Sequence, residues 1–516
     1  MKLSTIILIF VTLSSVSAST QTLSLYQQGL LALQQNRPAE ALAALTAAEQ
    51  ENPHDAAIRN FRGIALAQLG RSDDAAGEYR EAIRLDPQMV EAYRNLGHLE
   101  WTEGHPGSAG AALKKALELS PDDSYAHYYL GRVELDLKNY PDALGHLDKS
   151  KEVWPRDSEF YLQVAAGYAS THRMADCRTL LGHVKQSDLT DPRSVRLGAL
   201  YIACQQPESG IAVFERLVAR FPNADWAHMD LALAYLEARQ PAEAERTARL
   251  IPESRRSGGT WTVIGIAEGE MQRHEEAVSA FRSAVESSPQ DEDLWLNLTR
   301  ELMGQLHYVD AVAAAQQALE HLPRSYALRL RLGAAYMKSA HYKEAEDVFR
   351  DLIAKGDPEP TSAIGLAQVL MREGRVADAA EVLSDAEKRL GPNFLLAYFR
   401  GITLGRAARS EESVQQLREA VRMNPQSAEA RQWLGKEELR TRQVDQAIAD
   451  LNEALRLDPG NQPAKRLLAQ AYAIRKQPDQ AAQYMRKIEP GEVPKTVGDE
   501  SADLLFPAWE SPPPGQ

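Results

Sequence analysis

Twelve histidines and two cysteines are the residues with which this 516-residue chain could ligate a metal or attack a substrate. Structural and catalytic zinc sites need such ligands at short, fixed spacings, and the histidines are scattered without them. His274-Glu275-Glu276 opens like a helix-borne zinc motif, but the second histidine is missing, so it reads as a solvated helix face. No glycine-rich loop stands before a helix to cradle a phosphate. Cys177 and Cys204 are too far apart in sequence for a redox or haem motif. Asn297-Leu298-Thr299 spells a glycosylation sequon, yet Leu298 falls on the core face of an apolar stripe, so chance explains it better. These patterns predict a chain that is not an enzyme and takes no cofactor and no metal.

The elements that must position any site follow from a repeat. Residues 56–123 hold two copies of one 34-residue unit: Gly63 returns as Gly97, Ala75 as Ala109, Ala82 as Ala116 and Pro87 as Pro121. A fixed period of this length decides the whole fold. In residues 56–89, Ile58, Phe61, Arg62, Ala65 and Leu69 recur at helical spacings. Gly70 suits a left-handed helix stop. Ser72 with Asp73 and Asp74 reads as an N-cap and an acidic first turn. A second helix then carries Ala75, Ala76, Tyr79, Ala82 and Ile83 on one face until Pro87 ends it. Small residues at 63, 75 and 82 allow close helix crossings. One helix pair cannot bury its apolar stripe alone, so neighbouring pairs must share a core.

A small residue at unit position 8, tyrosine or leucine near 11, alanine at 20, a large apolar residue at 24, alanine at 27 and proline at 32 resemble the tetratricopeptide repeat. The resemblance covers nearly all of residues 22–489. It implies an all-α solenoid of about fourteen helix-turn-helix units forming a right-handed superhelix. Units one to seven fill 19–257 and units eight to fourteen fill 258–489, with a loop at 253–259 as the place for a bend. Units five, seven and eleven fit least well. Unit four keeps strict phase. The resemblance also implies that first helices line a concave face, with unit positions 2, 5, 9, 12 and 13 meeting the ligand. In units three and four those positions supply Arg94, His98, Tyr125, Tyr128 and Arg132, flanked by Asn95 and Tyr129. Aromatic rings beside arginines are the composition of binding hot spots. Such a surface suits an acidic or carboxylate-ended peptide. The lysine-and-asparagine carboxylate clamp of the family's chaperone-tail binders is absent, since unit two offers Asn60 and Ile64. The asparagine ladder of the sugar-transferase relatives is not continued beyond Asn95 and Asn297.

The unit count also bears on the cysteines. Cys177 lies early in the second helix of unit five and Cys204 at the end of the first helix of unit six. An oxidising compartment would permit pairing. Cys177 stands at a packing-alanine position, which places it opposite a residue near Gly198. The six residues from there to Cys204 span about 9 Å of helix, more than a disulfide bridges. Position counting therefore favours two buried thiols.

A net charge of −14 excludes nucleic acid as a main partner, because phosphate binding needs a cationic face. Residues 1–18 have a basic start at Lys2, an apolar core at 6–13 and the small-residue site Val16-Ser17-Ala18, the pattern of a cleaved secretory signal. That predicts a periplasmic or secreted protein beginning at Ser19, with no membrane-spanning segment after cleavage. Residues 490–516 are proline-rich and acidic, a composition of disorder, interrupted by Leu504-Leu505-Phe506 and Trp509. Taken together, the sequence predicts an exported scaffold for protein–protein or protein–peptide interaction. A structural subunit of an envelope assembly or of a polysaccharide or pilus export machine is the alternative.

Overall fold

The computed structural model describes residues 23–185 and 189–486. The expected leader at 1–18 and the tail cluster at 504–509 lie outside the described residues. The described chain is all-α: twenty-eight helices run from α1 (Leu25–Gln34) to α28 (Pro478–Arg486), and no strand occurs among the described residues. Two compact bodies divide the chain, Met1–Arg239 and Gln240–Gln516. Within each body, helices pack against their neighbours in chain order, the arrangement of an α-solenoid.

The period is visible in where first helices begin: α3 (Ala56–Gln68), α5 (Val90–Thr102), α7 (Ser124–Asp136) and α9 (Ser158–Ser170) each start 34 residues after the last. Several of these helices are started by a side-chain cap. Asp55 accepts from the amides of Ala57 and Ile58, and Asp123 from that of Ala126. Second helices start differently. The cap position of α4 (Ser72–Leu85) is Arg71, without a side-chain bond, and Ser72 is already helical. The expectation of a Ser72 N-cap is corrected by the turn itself. Gly70 sits at φ +74° and the Arg71 amide donates to the Leu66 carbonyl at 2.9 Å, so the chain leaves one helix and enters the next with no side-chain cap. The same left-handed corner is taken by residues other than glycine elsewhere, among them Lys138, Leu306 and Ala340. The turn's hydrogen bonds hold the corner whatever the residue.

Packing within a pair rests on a glycine facing a large side chain sixteen residues on. A Cβ built on Gly63 of α3 (Ala56–Gln68) would lie 2.5 Å from the Tyr79 ring, and one on Gly97 would lie 2.5 Å from Leu113 Cγ. Gly401 meets Leu417 and Gly435 meets Leu451 in the same way. These side chains are the buried centre of each pair.

Two features of the N-terminal body depart from the sequence reading. The second helix of unit four, α8 (Tyr140–Leu147), ends early and is followed by a 3-10 turn at Lys151–Val153, although that unit keeps strict phase in sequence. The Ser150 hydroxyl donates to the His146 and Leu147 carbonyls, capturing groups that a longer helix would have used. Second, Cys177 and Cys204 form a disulfide with Cα atoms 6.1 Å apart, and both are fully buried. The expectation of two free thiols is therefore overturned. Cys177 is on α10 (Met174–Leu181) and Cys204 caps the end of α11 (Asp191–Ala203). Successive helices of a stack run antiparallel, so the start of α10 lies beside the end of α11. Counting from Gly198 paired the wrong ends.

Candidate functional site

The expected ligand positions lie on two neighbouring first helices of the N-terminal body. On α5 (Val90–Thr102), Arg94, His98 and Trp101 recur at four- and three-residue steps, which makes them one stripe. On α7 (Ser124–Asp136), Tyr125, Tyr128 and Arg132 do the same. A third helix, α9 (Ser158–Ser170), adds Phe160.

The stripes meet at Arg132. Its guanidinium carbon lies 4.9 Å from the Trp101 ring centre, 5.0 Å from Phe160 and 5.9 Å from Tyr128. Cations are attracted to ring faces at such distances. Arg132 Nη1 donates to the Tyr128 hydroxyl at 2.9 Å. No carboxylate pairs with Arg132 among the described residues, and its buried Nε has no acceptor. A guanidinium has five N–H donors, so three aromatic rings hold a cation whose hydrogen-bonding capacity is largely unspent. The rings are themselves fixed. The Trp101 indole donates to Asp136 Oδ2 at 2.6 Å, and the Trp154 ring stands edge-on to Phe160.

Arg94 has a different role. Its Nη1 donates to Asp123 Oδ2 at 2.7 Å, while Asp123 Oδ1 caps α7. This residue ties α5 to the start of α7 and has its charge already answered. Tyr125 lies under Arg94 at 5.6 Å and is 39% exposed. The His98 ring packs at a tilt against Tyr129, with centres 4.3 Å apart. Burial and the nearby Arg132 cation lower its pKa to about 4, so at neutral pH it is an uncharged ring. Burial likewise raises the Tyr129 hydroxyl to about 12. The structure thus brings all five expected residues onto two neighbouring helices, and Arg132 is the one cation among them that no carboxylate answers. Trp101 and Phe160 were missed by the sequence reading. Trp101 occupies position 12 of unit three, one of the ligand positions the resemblance names, so the signal was present. Phe160 is at position 3 and carried none.

Other chemistry-bearing residues are used structurally. His274 Nδ1 lies 2.9 Å from Glu301 Oε1. The sequon residue Thr299 is buried in α17 (Glu292–Gly304), with its hydroxyl bonded to the Trp295 carbonyl. Asn95 donates to Asn60 at 2.9 Å, linking the first helices of units two and three side chain to side chain. No group of His, Cys, Asp and Glu among the described residues could hold a metal. No helix among them is long and apolar enough to cross a membrane.

Known proteins resemble this chain in sequence and in fold. Superkiller complex protein 3 of Mus musculus is 27% identical over 157 residues, which cover 30% of this chain and 9% of that protein. The match therefore spans a small part of that relative. The crystal structure of yeast Tom70 aligns with 83% of this chain and 99% of its own at 15% identity and a TM-score of 0.41. The structure of the APC/C hetero-tetramer Cut9–Hcn1 aligns with 87% and 95% at 14% identity and a TM-score of 0.34. Family profiles described as tetratricopeptide repeat match residues 26–90, 94–158, 201–258, 259–291, 302–363, 400–461 and 434–495. With most of its length matched in this way, the chain belongs to the tetratricopeptide repeat family.

Proposed function

We propose that this protein is an exported scaffold whose first helices in units three and four hold an acidic or carboxylate-ended segment of a partner protein. The observation that carries the reading is Arg132, a guanidinium boxed by Trp101, Tyr128 and Phe160 with no carboxylate of its own. A partner carboxylate would take the charge-assisted hydrogen bonds that the protein leaves unmade. The rings, and Tyr125 beside them, would cover apolar parts of the same segment. Net charge supports this choice of ligand. On a chain of −14, a cation set among aromatic rings without an acid partner is a place that draws anions. Export is supported by the Val16-Ser17-Ala18 pattern and by the buried Cys177–Cys204 disulfide, a bond that persists in oxidising compartments.

The test is a peptide array of acidic and carboxylate-ended sequences probed with the mature protein. The best binder is then titrated against the wild type, Arg132→Ala and Arg94→Ala. Loss of Arg132 should weaken binding by about 1.5–3 kcal/mol for each charged hydrogen bond removed. Arg94→Ala should bind nearly as the wild type does, because its guanidinium serves Asp123. Equal affinity for the wild type and a folded Arg132→Ala variant refutes the assignment.

A further inference from the structure

In each of the earlier pairs of the C-terminal body where Gly401 and Gly435 mark the close crossing, the side chain sixteen residues on, Leu417 or Leu451, is fully buried. In the last pair, α27 (Gln462–Ile474) and α28, the same places are held by Ala469 and Met485, and Met485 is 59% exposed. Ile474, at the end of α27, is 50% exposed, and α28 has no buried residue. The pair is nevertheless in place. The Tyr472 and Tyr484 rings stack with centres 5.6 Å apart, and the Tyr484 hydroxyl donates to Asn452 at 2.9 Å. A repeat buries its apolar face against the next repeat. At α28 no further described helix follows, and a face made for burial is open.

Charge indicates what covers it. Between residues 462 and 486 the cations are Lys465, Arg466, Arg475, Lys476 and Arg486, of which Arg475 pairs with Asp445 of the preceding repeat at 3.3 Å, and the only carboxylate in that stretch is Asp479. The chain that continues from Arg486 has the opposite balance. Residues 487–516 contain Glu489, Glu492, Asp499, Glu500, Asp503 and Glu510 against Lys487 and Lys495. Its large apolar residues Leu504, Leu505, Phe506 and Trp509 stand between the last of those acids. Residues 487–503, fully extended, reach about 60 Å, well beyond the roughly 10 Å that separates a packed element from its neighbour. Length, apolar content and charge all match the open face.

We propose that residues 503–510 of this chain's own tail cover the apolar end of the array at Met485 and Ile474, with the tail's acids set against the cations of α27 and α28. Burial of Leu504, Phe506 and Trp509 would supply the attraction, and the opposite charges would fix which end of the array is chosen.

Thioether oxidation reads this directly. Dilute hydrogen peroxide is applied to the full mature chain and to Phe506→Asp/Trp509→Asp, and Met485 sulfoxide is followed by peptide mass spectrometry. Met485 should oxidise about tenfold faster in the variant, the ratio for a site reachable only in a one-tenth undocked population. Buried Met337 should stay slow in both, and helicity should be equal. A synthetic peptide of residues 499–512 added to the variant should restore protection. Equal rates in the two proteins overturn the proposal, as does failure of the peptide to protect. Protection that rises with protein concentration alongside a dimer in light scattering also overturns it, because a second copy would then be the cover.

Discussion

Gly63 and Gly77 belong to the same repeat unit, and replacing each by alanine should change stability in opposite directions. Both are helical, so both substitutions gain about 0.8–1 kcal/mol of helix propensity. For Gly77 on α4 that gain is the whole effect, since a Cβ there meets nothing within 4 Å and the position is solvent-exposed. For Gly63 on α3, the added Cβ would lie 2.5 Å and 2.7 Å from Tyr79 ring atoms. Tyr79 is 3% exposed, so its ring has nowhere to swing. Overpacking of a closed core costs about 1–3 kcal/mol, which offsets the propensity gain and leaves a net loss of up to about 2 kcal/mol. The two variants should therefore differ by the overpacking cost itself, about 1–3 kcal/mol, in the protection of α3 and α4 amides, measured by native-state hydrogen exchange. Exchange is preferable to a single melting curve because long repeat arrays do not unfold as one unit. Tyr79→Leu should recover part of the loss in Gly63→Ala. Ala165 with Leu181 and Ala367 with Leu383 keep the same sixteen-residue spacing, all four nearly or fully buried. A Gly63→Ala variant as well protected as Gly77→Ala would refute the close-crossing account of the repeat.

Two further measurements follow. Intact-mass analysis of protein recovered from its native host should show a chain beginning at Ser19 with Cys177 and Cys204 resistant to alkylation. Reducing that bond should cost about 2–4 kcal/mol, and a retained leader or freely alkylated thiols would sink the export proposal. His98 gives the array an acid sensitivity. A histidine whose folded pKa lies below its unfolded value is neutral in the fold where the unfolded chain is already charged. Stability should therefore fall as pH drops from about 6.5 toward 4, by at most about 1.4 kcal/mol per unit. His98→Gln should flatten that interval in the hydrogen-exchange protection of α5 and α7 amides compared at pH 7 and pH 5, and an unchanged pH dependence would contradict the burial assigned to the ring.

Helix starts such as Ala56, Val90 and Ser124 were legible because the repeat states the same physical constraint many times. A small residue at a crossing and a large one sixteen places on leave a mark in every copy. What departs from the repeat leaves no such mark. α8 ends early, as α10 (Met174–Leu181) and α14 (Pro241–Arg249) do, although unit four keeps strict phase in sequence, and there the Ser150 hydroxyl takes two of the last carbonyls. The disulfide depends on which ends of α10 and α11 lie together, and residue spacing along one helix carries no information about that. The site divides along the same line. That Arg94 and Arg132 share a surface follows from the period. That one of them is spent and the other is not follows from Asp123, which lies 29 residues from Arg94 in sequence and 2.7 Å away in space. Asp123 is also the cap of α7, so the residue that starts the helix is the one that silences the first arginine. The start of α7 and the pairing of Arg94 are thus set by the same side chain. A sequence that kept the repeat but replaced Asp123 by serine would keep a cap and lose the pairing, and the first helices of units three and four would then carry two cations without a carboxylate partner in place of one.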